Sequence, residues 1–496
     1  MAGSRRPRIL FGAVIVIFIV IFTRWQYEAA PTAPLQLEET NSKGEPISLN
    51  LPPTPSTPPN PSTPQLIQDA HKLGSADDFL PHFAAVRQLP ALSLAEAKKT
   101  CTWGPDTFVN FQYTEEDDWV KKDRPDDELA QKREEWHAFV EKSMLPYAQV
   151  KDKFSGRGLV VCAGNQDTLM RLKVILRALK KIGSAIAMEV HYWADEMDEA
   201  AKKELVELYQ PNAMHFNDLS GPHNILQVKK DQLWINYQLK TASVINSRFA
   251  EPLLLDSDNI PIIKPEELYD SSVYKEFGSV FWPDIARTRS NNPMWAITNT
   301  PCAMDEYEQE SGQLLVDKRR FWYHLQLATW LNNEQGKYYN EFLLGDKDMF
   351  RFAWHALKTK YGHPKKWLTS VGTENDGYYC GHSFAQHHPD DERVAFLHGG
   401  LVKTVDLDVM RWNRDHKGGY YRSYKSAPSD EDPATSVNVA IKFDSADYLP
   451  NKGPGVKVAQ CTDMKDVEAR DINEILFGFE KTFEEIGGYW QLDANR

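Results

Sequence analysis

"LLLDSDNIP", residues 253–261, decides how this chain folds. Three leucines in a row read as a strand buried on both faces, yet the run stops at two carboxylates, Asp256 and Asp258, with only Ser257 between them. Like charges this close repel, and burying them is costly unless something positive lies between them. The stretch just upstream, "DQLWINYQLKTASVINS" (231–247), reads as a helix that feeds the strand. The same alternation continues outward. "GLVVCAG" (158–164) is a short apolar run ending in small residues, a strand and its turn. "TLMRLKVILRALKKIG" (168–183) sets Leu169, Leu172, Ile175, Leu176 and Leu179 on one helical face. "AMEVHYWAD" (187–195) is the next strand, and "DEAAKKELVELYQP" (198–211) a helix stopped by proline. Strands alternating with helices indicate an α/β domain with a mostly parallel central sheet. In such sheets ligands bind beyond the carboxyl ends of the strands, which is where Asp256 and Asp258 stand.

The whole chain has 496 residues, enough for two to four domains or for one large enzyme domain with attachments. A net charge of −13 argues against a nucleic-acid protein, which would show a basic face. Among the five cysteines there is no CxxC pair. Cys162 lies inside an apolar run and reads as a buried core thiol, while the other four suffice for two disulfides whose pairing stays open.

The N-terminus is basic over 1–8 and then apolar without a break from Ile9 to Phe22, followed by Arg24, Trp25 and Tyr27. This reads as a signal anchor over 9–25, with a cleaved signal peptide as the alternative. Arg5, Arg6 and Arg8 then hold the short tail in the cytosol and leave the rest of the chain lumenal. Residues 26–66 carry ten of the thirty prolines and read as an extended stem. Residues 67–155 read as a charged helical subdomain, 156–426 as the catalytic domain and 427–496 as a C-terminal extension. In that extension "DINEILFGFEKTFEEIG" (471–487) reads as one amphipathic helix.

A bare Asp-x-Asp says little, since the chain holds four: Asp256/Asp258, Asp346/Asp348, Asp406/Asp408 and Asp430/Asp432. The first differs by its context at a strand end, where hard oxygen ligands suit Mg²⁺ or Mn²⁺. The competing reading is a turn or helix cap made by Asp side chains.

An ordered series of motifs goes further: "LLLDSDNIP" (253–261), "FWPD" (281–284), "ESGQLLVDK" (310–318), "GDKDMFRFAW" (345–354), "CGHSFAQ" (380–386) and "FLHGGLVK" (396–403). Over roughly 156–415 the chain resembles the fungal Golgi α-mannosyltransferases that extend mannan outer chains. That resemblance implies a GT-A-like glycosyltransferase fold, GDP-mannose as donor, Mn²⁺ or Mg²⁺ as cofactor, a mannosylated glycan acceptor and transfer with retention. It also implies a single-pass type II protein of the Golgi membrane, within reach of a glycosyltransferase complex, and it leans to α-1,2 over α-1,3 linkage. Carried over by position, Asp256, Asp258 and His398 would be metal ligands. Lys240, Glu310, Ser311, Gln313 and Lys403 would bind the donor, and Asp346 and Asp348 would act at the reacting sugar. The Asp346/Asp348 pair also reads as a helix-start cap, and Lys240 also reads as a solvated lysine. Trp282 in "FWPD" reads with the other tryptophans as core and is, among them, the candidate sugar-stacking platform; His387 and His388 read as a surface turn, and His382 stands in a motif near His398. A transferase for UDP-galactose or UDP-glucose, and a non-catalytic subunit of a Golgi complex, are the alternatives. With no HExxH and no GxSxG, a hydrolase reading finds no support.

Overall fold

The computed structural model describes residues 73–101, 124–209, 213–228, 235–302, 306–343, 345–399, 407–427, 439–442, 461–464 and 467–493. The expected anchor (9–25), stem (26–66) and Lys403 lie outside the described residues. Among those described, no helix is long and apolar enough to cross a membrane.

The helices that precede the first strand include α1 (Phe79–Arg87) and α2 (Asp126–Lys142). Asp126, Asp127 and Glu128 fill the first turn of α2, where carboxylates favour the positive end of the helix dipole. Its Leu129, Trp136 and Val140 are buried, and the Trp136 indole N–H donates to Ile297 O at 2.9 Å. The expected alternation follows as β1 (Arg157–Cys162), α3 (Gln166–Lys181), β2 (Met188–Tyr192) and α4 (Glu199–Tyr209), then β3 (Met214–Asp218), a strand the sequence reading does not place, and again as expected α5 (Ile235–Asn246) and β4 (Glu251–Leu255). The four strands run parallel in the order β3-β2-β1-β4, with Leu159 facing both Met188 and Leu253 in register.

The three leucines of the opening stretch explain the double burial. Leu253 and Leu255 pack with Leu172, Ile175 and Leu176 of α3, while Leu254 packs on the opposite face with Val244, Ile245 and Trp322. All three are fully buried, each contributing about 1.5–3 kcal/mol. Leu254 thereby shares its core with α2, so the N-terminal helices and the sheet bury one continuous apolar surface.

Beyond β4 the sheet changes direction. After β5 (Asn259–Pro261) come β6 (Ser279–Arg287) and β7 (Tyr307–Val316), and β7 lies antiparallel between β4 and β6. The helices that follow include α6 (Lys318–Thr329) and α7 (Met349–Ala356). A second sheet, wholly antiparallel, was not foreseen from the sequence. It contains β8 (Thr369–Asn375), β9 (Tyr378–His387), β10 (Val394–His398), β11 (Ser423–Lys425), β12 (Val439–Lys442), β13 (Cys461–Met464) and β14 (Arg470–Asp471). Asp376 and Gly377, at φ 53° and 85°, form the two-residue turn between β8 and β9, a loop that needs residues tolerant of positive φ. β10 pairs with both β9 and β5, and so joins this sheet to the strand that follows the Asp-x-Asp turn.

Two expectations are corrected here. The stretch 471–487 is not one helix: Gly478 at φ 69° breaks it, a short turn at Ile472–Glu474 precedes the break, and helix α8 (Phe479–Glu485) follows it. Phe477, beside the break, is 92% exposed. His387 and His388 are not on a surface turn. Both are buried at the end of β9, where His387 Nε2 lies 3.0 Å from Thr369 Oγ1.

Cys101 is bonded to Cys302 and Cys380 to Cys461, which leaves Cys162 as the free thiol. Thiol titration of the denatured, unreduced chain is therefore expected to count one thiol, rising to five after reduction. Two or more before reduction would show that a bridge is missing. Opening the Cys380–Cys461 loop by Cys461→Ser is expected to cost about 2–5 kcal/mol of stability.

Candidate active site

The turn at the end of β4 is held from three sides. Asp256 N donates to Gly312 O at 2.8 Å, and Asn259 N closes the turn on Asp256 O at 3.1 Å. The Asn259 side-chain amide donates to Gly312 O and to Gln313 Oε1, at 2.9 and 2.5 Å, which locks the turn against β7. On the other flank His398, the last residue of β10, stands opposite Asn259, and Gly399 N donates to Asp258 O at 3.3 Å. This pairing carries His398 to the two aspartates. Its Nε2 lies 3.4 Å from Asp258 Oδ1 and 3.7 Å from Asp256 Oδ2. One potential ligand atom from each of Asp256, Asp258 and His398 falls within 4.8 Å of the others, and all three groups are largely buried. Two carboxylates and an imidazole around one point fit a divalent cation.

The protein supplies positive charge there as well. Lys240, from α5, places Nζ 2.9 Å from Asp256 Oδ2, 3.0 Å from Asp346 Oδ2 and 3.3 Å from Ser311 Oγ. It is therefore a buried bridge between two acidic motifs and not a solvated lysine. Burial alone would lower its pKa, but Asp256 and Asp346 together hold it well above the ordinary lysine value. Burial raises the Asp256 carboxyl, and Lys240 and His398 more than offset this to leave it low. For Asp346 burial dominates: even with Lys240 beside it and Ser311 Oγ donating at 3.3 Å, its carboxyl stays above the usual range. Burial likewise opposes charge on His398, yet Glu310, Asp258 and Asp256 hold it well above 6.5. The repulsion posed by "DSD" is thus answered by the Lys240 ammonium and by the His398 ring, which stand beside the two carboxylates.

The two aspartates of "GDKD" part company. Asp346 joins Lys240 at the cation cluster. Asp348, at φ 61°, turns into the protein, where its Oδ1 accepts from Gln309 N at 3.0 Å and from Arg351 Nε at 2.7 Å. It makes no side-chain cap on α7, although it precedes that helix. Lys347 between them donates to Asp284 Oδ2 and Glu308 Oε2, at 2.6 and 2.7 Å. Neither carboxylate was singled out from the sequence, although Asp284 ends the quoted "FWPD" motif. Glu310 sits behind the histidine ring, with Oε2 3.4 Å from His398 Nδ1. Gln313 is fully buried and bonded to Asn259, a position that braces the turn.

Trp282 is not a sugar platform. It is completely buried, donates its indole N–H to His387 O at 2.8 Å and packs edge-on to Phe396. His382 lies outside the cluster as well. It stacks on Tyr420 with ring centroids 3.6 Å apart, and burial pushes its pKa down to about 3.

Residues 156–300 and 303–388 match a family described as mannosyltransferase, putative. The chain is 24% identical over 308 residues to the α-1,2-mannosyltransferase MNN23 of Candida albicans, covering 51% of this chain and 50% of that protein. With MNN22 of the same organism, also an α-1,2-mannosyltransferase, identity is 27% over 318 residues, covering 54% and 52%. The chain thus spans about half the length of these curated relatives. Among solved structures, the mannosyltransferase Ktr4p of Saccharomyces cerevisiae aligns at 12% identity and a TM-score of 0.28, covering 52% of this chain and 79% of that one. The matched segment holds β1 to β9 and both acidic motifs, and over it the chain is similar to that mannosyltransferase family and to fungal α-1,2-mannosyltransferases.

Proposed function

We propose that this chain is a glycosyltransferase that moves mannose from GDP-mannose to a mannosylated glycan, retaining the α configuration, with Mn²⁺ held by Asp256, Asp258 and His398. The observation that carries this reading is the convergence of those three side chains at the carboxyl end of β4, where an α/β sheet binds its ligand. The bound cation would neutralise the diphosphate and stabilise GDP as it leaves. Lys240 is placed to share that work, since its ammonium already bridges Asp256 and Asp346 beside the cluster. Asp346 is positioned by Lys240 and Ser311, and its carboxylate is the group that would orient the sugar hydroxyls and face the positive charge that builds at the anomeric carbon. Asp348 supports the same turn from inside through Arg351. Gln313 braces the Asp-x-Asp turn, and Lys403 completes the proposed diphosphate contacts from outside the described residues.

An α-1,2 linkage is favoured because the relatives named above carry that activity in their names. Two disulfides fit an oxidising lumen and so a Golgi enzyme held by an N-terminal anchor, with a helical subdomain over 67–155, the catalytic domain over 156–426 and an extension over 427–496. Other glycosyltransferases are candidate partners there.

A donor screen on the full chain, with α-methyl mannoside as acceptor, tests the reading. GDP release is expected with GDP-mannose and Mn²⁺, and none after EDTA. Release of UDP from UDP-galactose or UDP-glucose instead would establish the other transferase. No release from any donor would support a non-catalytic subunit.

A further inference from the structure

We infer that Glu310 and Gly312 are positioning residues that set the tautomer and the depth of His398, so that its Nε2 lone pair faces Asp256 and Asp258; this rests on reading those three side chains as cation ligands. A neutral imidazole offers one N–H and one lone pair, and the partner of one nitrogen decides what the other can do. His398 Nδ1 faces Glu310 Oε2 at 3.4 Å, while Nε2 faces the aspartates at 3.4 and 3.7 Å. In the metal-free protein both nitrogens face carboxylates; when a cation binds, the Nε2 proton leaves, and the carboxylate behind Nδ1 keeps the other proton there so that Nε2 is the ligand atom, the arrangement that orients histidines at metal centres.

Glu310 needs both of its oxygens for this. Oε1 accepts from Gly312 N at 2.8 Å, which fixes the carboxylate, and Oε2 is left to the imidazole. The two neighbours are both donors. A glutamine would have to turn its NH₂ toward one of them, so Glu310→Gln changes the hydrogen bonding with almost no change in volume.

Gly312 acts through space. A Cβ built there would stand 2.6, 2.7 and 2.9 Å from His398 Cε1, Nδ1 and Nε2, closer than Cβ atoms approach other groups. Gly312 is not among the residues at positive φ, so alanine suits the backbone, and the three atoms nearest its Cβ would all belong to the imidazole. β7 thus contributes a two-residue cradle, Glu310 at one ring nitrogen and Gly312 under the ring. This assigns Glu310 to the histidine rather than to the donor sugar.

The test is Mn²⁺ affinity of the full chain, read from the electron paramagnetic resonance of free Mn²⁺. Glu310→Gln and Gly312→Ala are each expected to weaken binding about ten- to hundredfold. Melting temperatures in EDTA should stay close to wild type. Placed on a His398→Ala background, the same changes should alter affinity by less than about threefold, because positioning residues have nothing left to position. Wild-type affinity in either variant, or a loss that persists undiminished without His398, overturns the inference. If Gly312→Ala does not fold, Glu310→Gln carries the test alone. Absence of Mn²⁺ binding by the wild-type chain would overturn the cation reading itself, and the inference with it.

Discussion

Asp258→Ala is expected to lower Mn²⁺-dependent transfer on the order of 10²–10³-fold or more, while the melting temperature in EDTA moves by no more than a few degrees. The two halves of this expectation come from different atoms of the residue. Its main-chain oxygen accepts from Gly399 N, and alanine keeps that bond. Its carboxylate faces His398 Nε2 at 3.4 Å, among groups that gather three potential ligands within 4.8 Å. Removing it takes away a proposed ligand, and in the metal-free protein it also relieves the repulsion by which Asp258 disfavours the charged Asp256 carboxylate. His398 keeps Glu310 and Asp256 as counter-charges. A fall of many degrees in EDTA would show instead that the carboxylate holds the turn together, and the metal reading would lose its main support. Unchanged transfer at saturating Mn²⁺ would exclude Asp258 as a ligand.

What the sequence made legible is what depends on neighbours along the chain. Three of the four parallel strands, β1, β2 and β4, follow from local apolar runs and helical spacing, and the Asp256/Asp258 pair stands out by its place at a strand end, whereas His398 and Asp346 were pointed to only by the family resemblance. The antiparallel sheet was missed because its decisive pairing, β5 with β10, joins residues 259–261 to 394–398, and no local pattern announces it. A signal did exist at Asp376-Gly377, a dipeptide suited to a tight hairpin, followed at once by the aromatic pair Tyr378-Tyr379 that opens β9. Asp348 shows a different limit. Spacing places it two residues from Asp346 but says nothing of direction, and the positive φ at Asp348 sends the two carboxylates to different partners. Trp282 misled because exposed and buried tryptophans look alike in sequence. Its neighbour Phe281 was the clue: two consecutive large apolar residues on a strand imply burial on both faces, and the two side chains do enter different cores. Lys240 was legible only as a residue on the preceding helix, because its bridge needs Asp346, which lies far along the chain.

Arg351→Met is expected to destabilise the protein by about 3–5 kcal/mol, since breaking a buried ion pair from one side strands the other charge. Arg351 is fully buried at the start of α7. Its Nε donates to Asp348 Oδ1 at 2.7 Å, Nη2 donates to Thr288 Oγ1, and Nη1 lies 3.9 Å from Glu306 Oε1. Methionine matches the length of the stem but offers no donor, so Asp348 would lose its ion-pair partner and keep the Gln309 N hydrogen bond and the weaker pull of the Lys347 charge. Burial already pushes the Asp348 carboxyl upward against the pull of Arg351, so its ionised form depends on that partner. The double variant Asp348→Asn/Arg351→Met removes both charges, and it should recover most of the lost stability in urea unfolding followed in EDTA. A single variant within about 1 kcal/mol of wild type would show that the pair contributes no more than a surface bridge. A double variant no better than the single would place the cost on Thr288 and Glu306 instead. Recovery in the double variant separates the two aspartates of "GDKD" by function: Asp348 then serves the fold of the 345–348 turn, and Asp346, held on the cluster by Lys240, is the one left to meet the substrate.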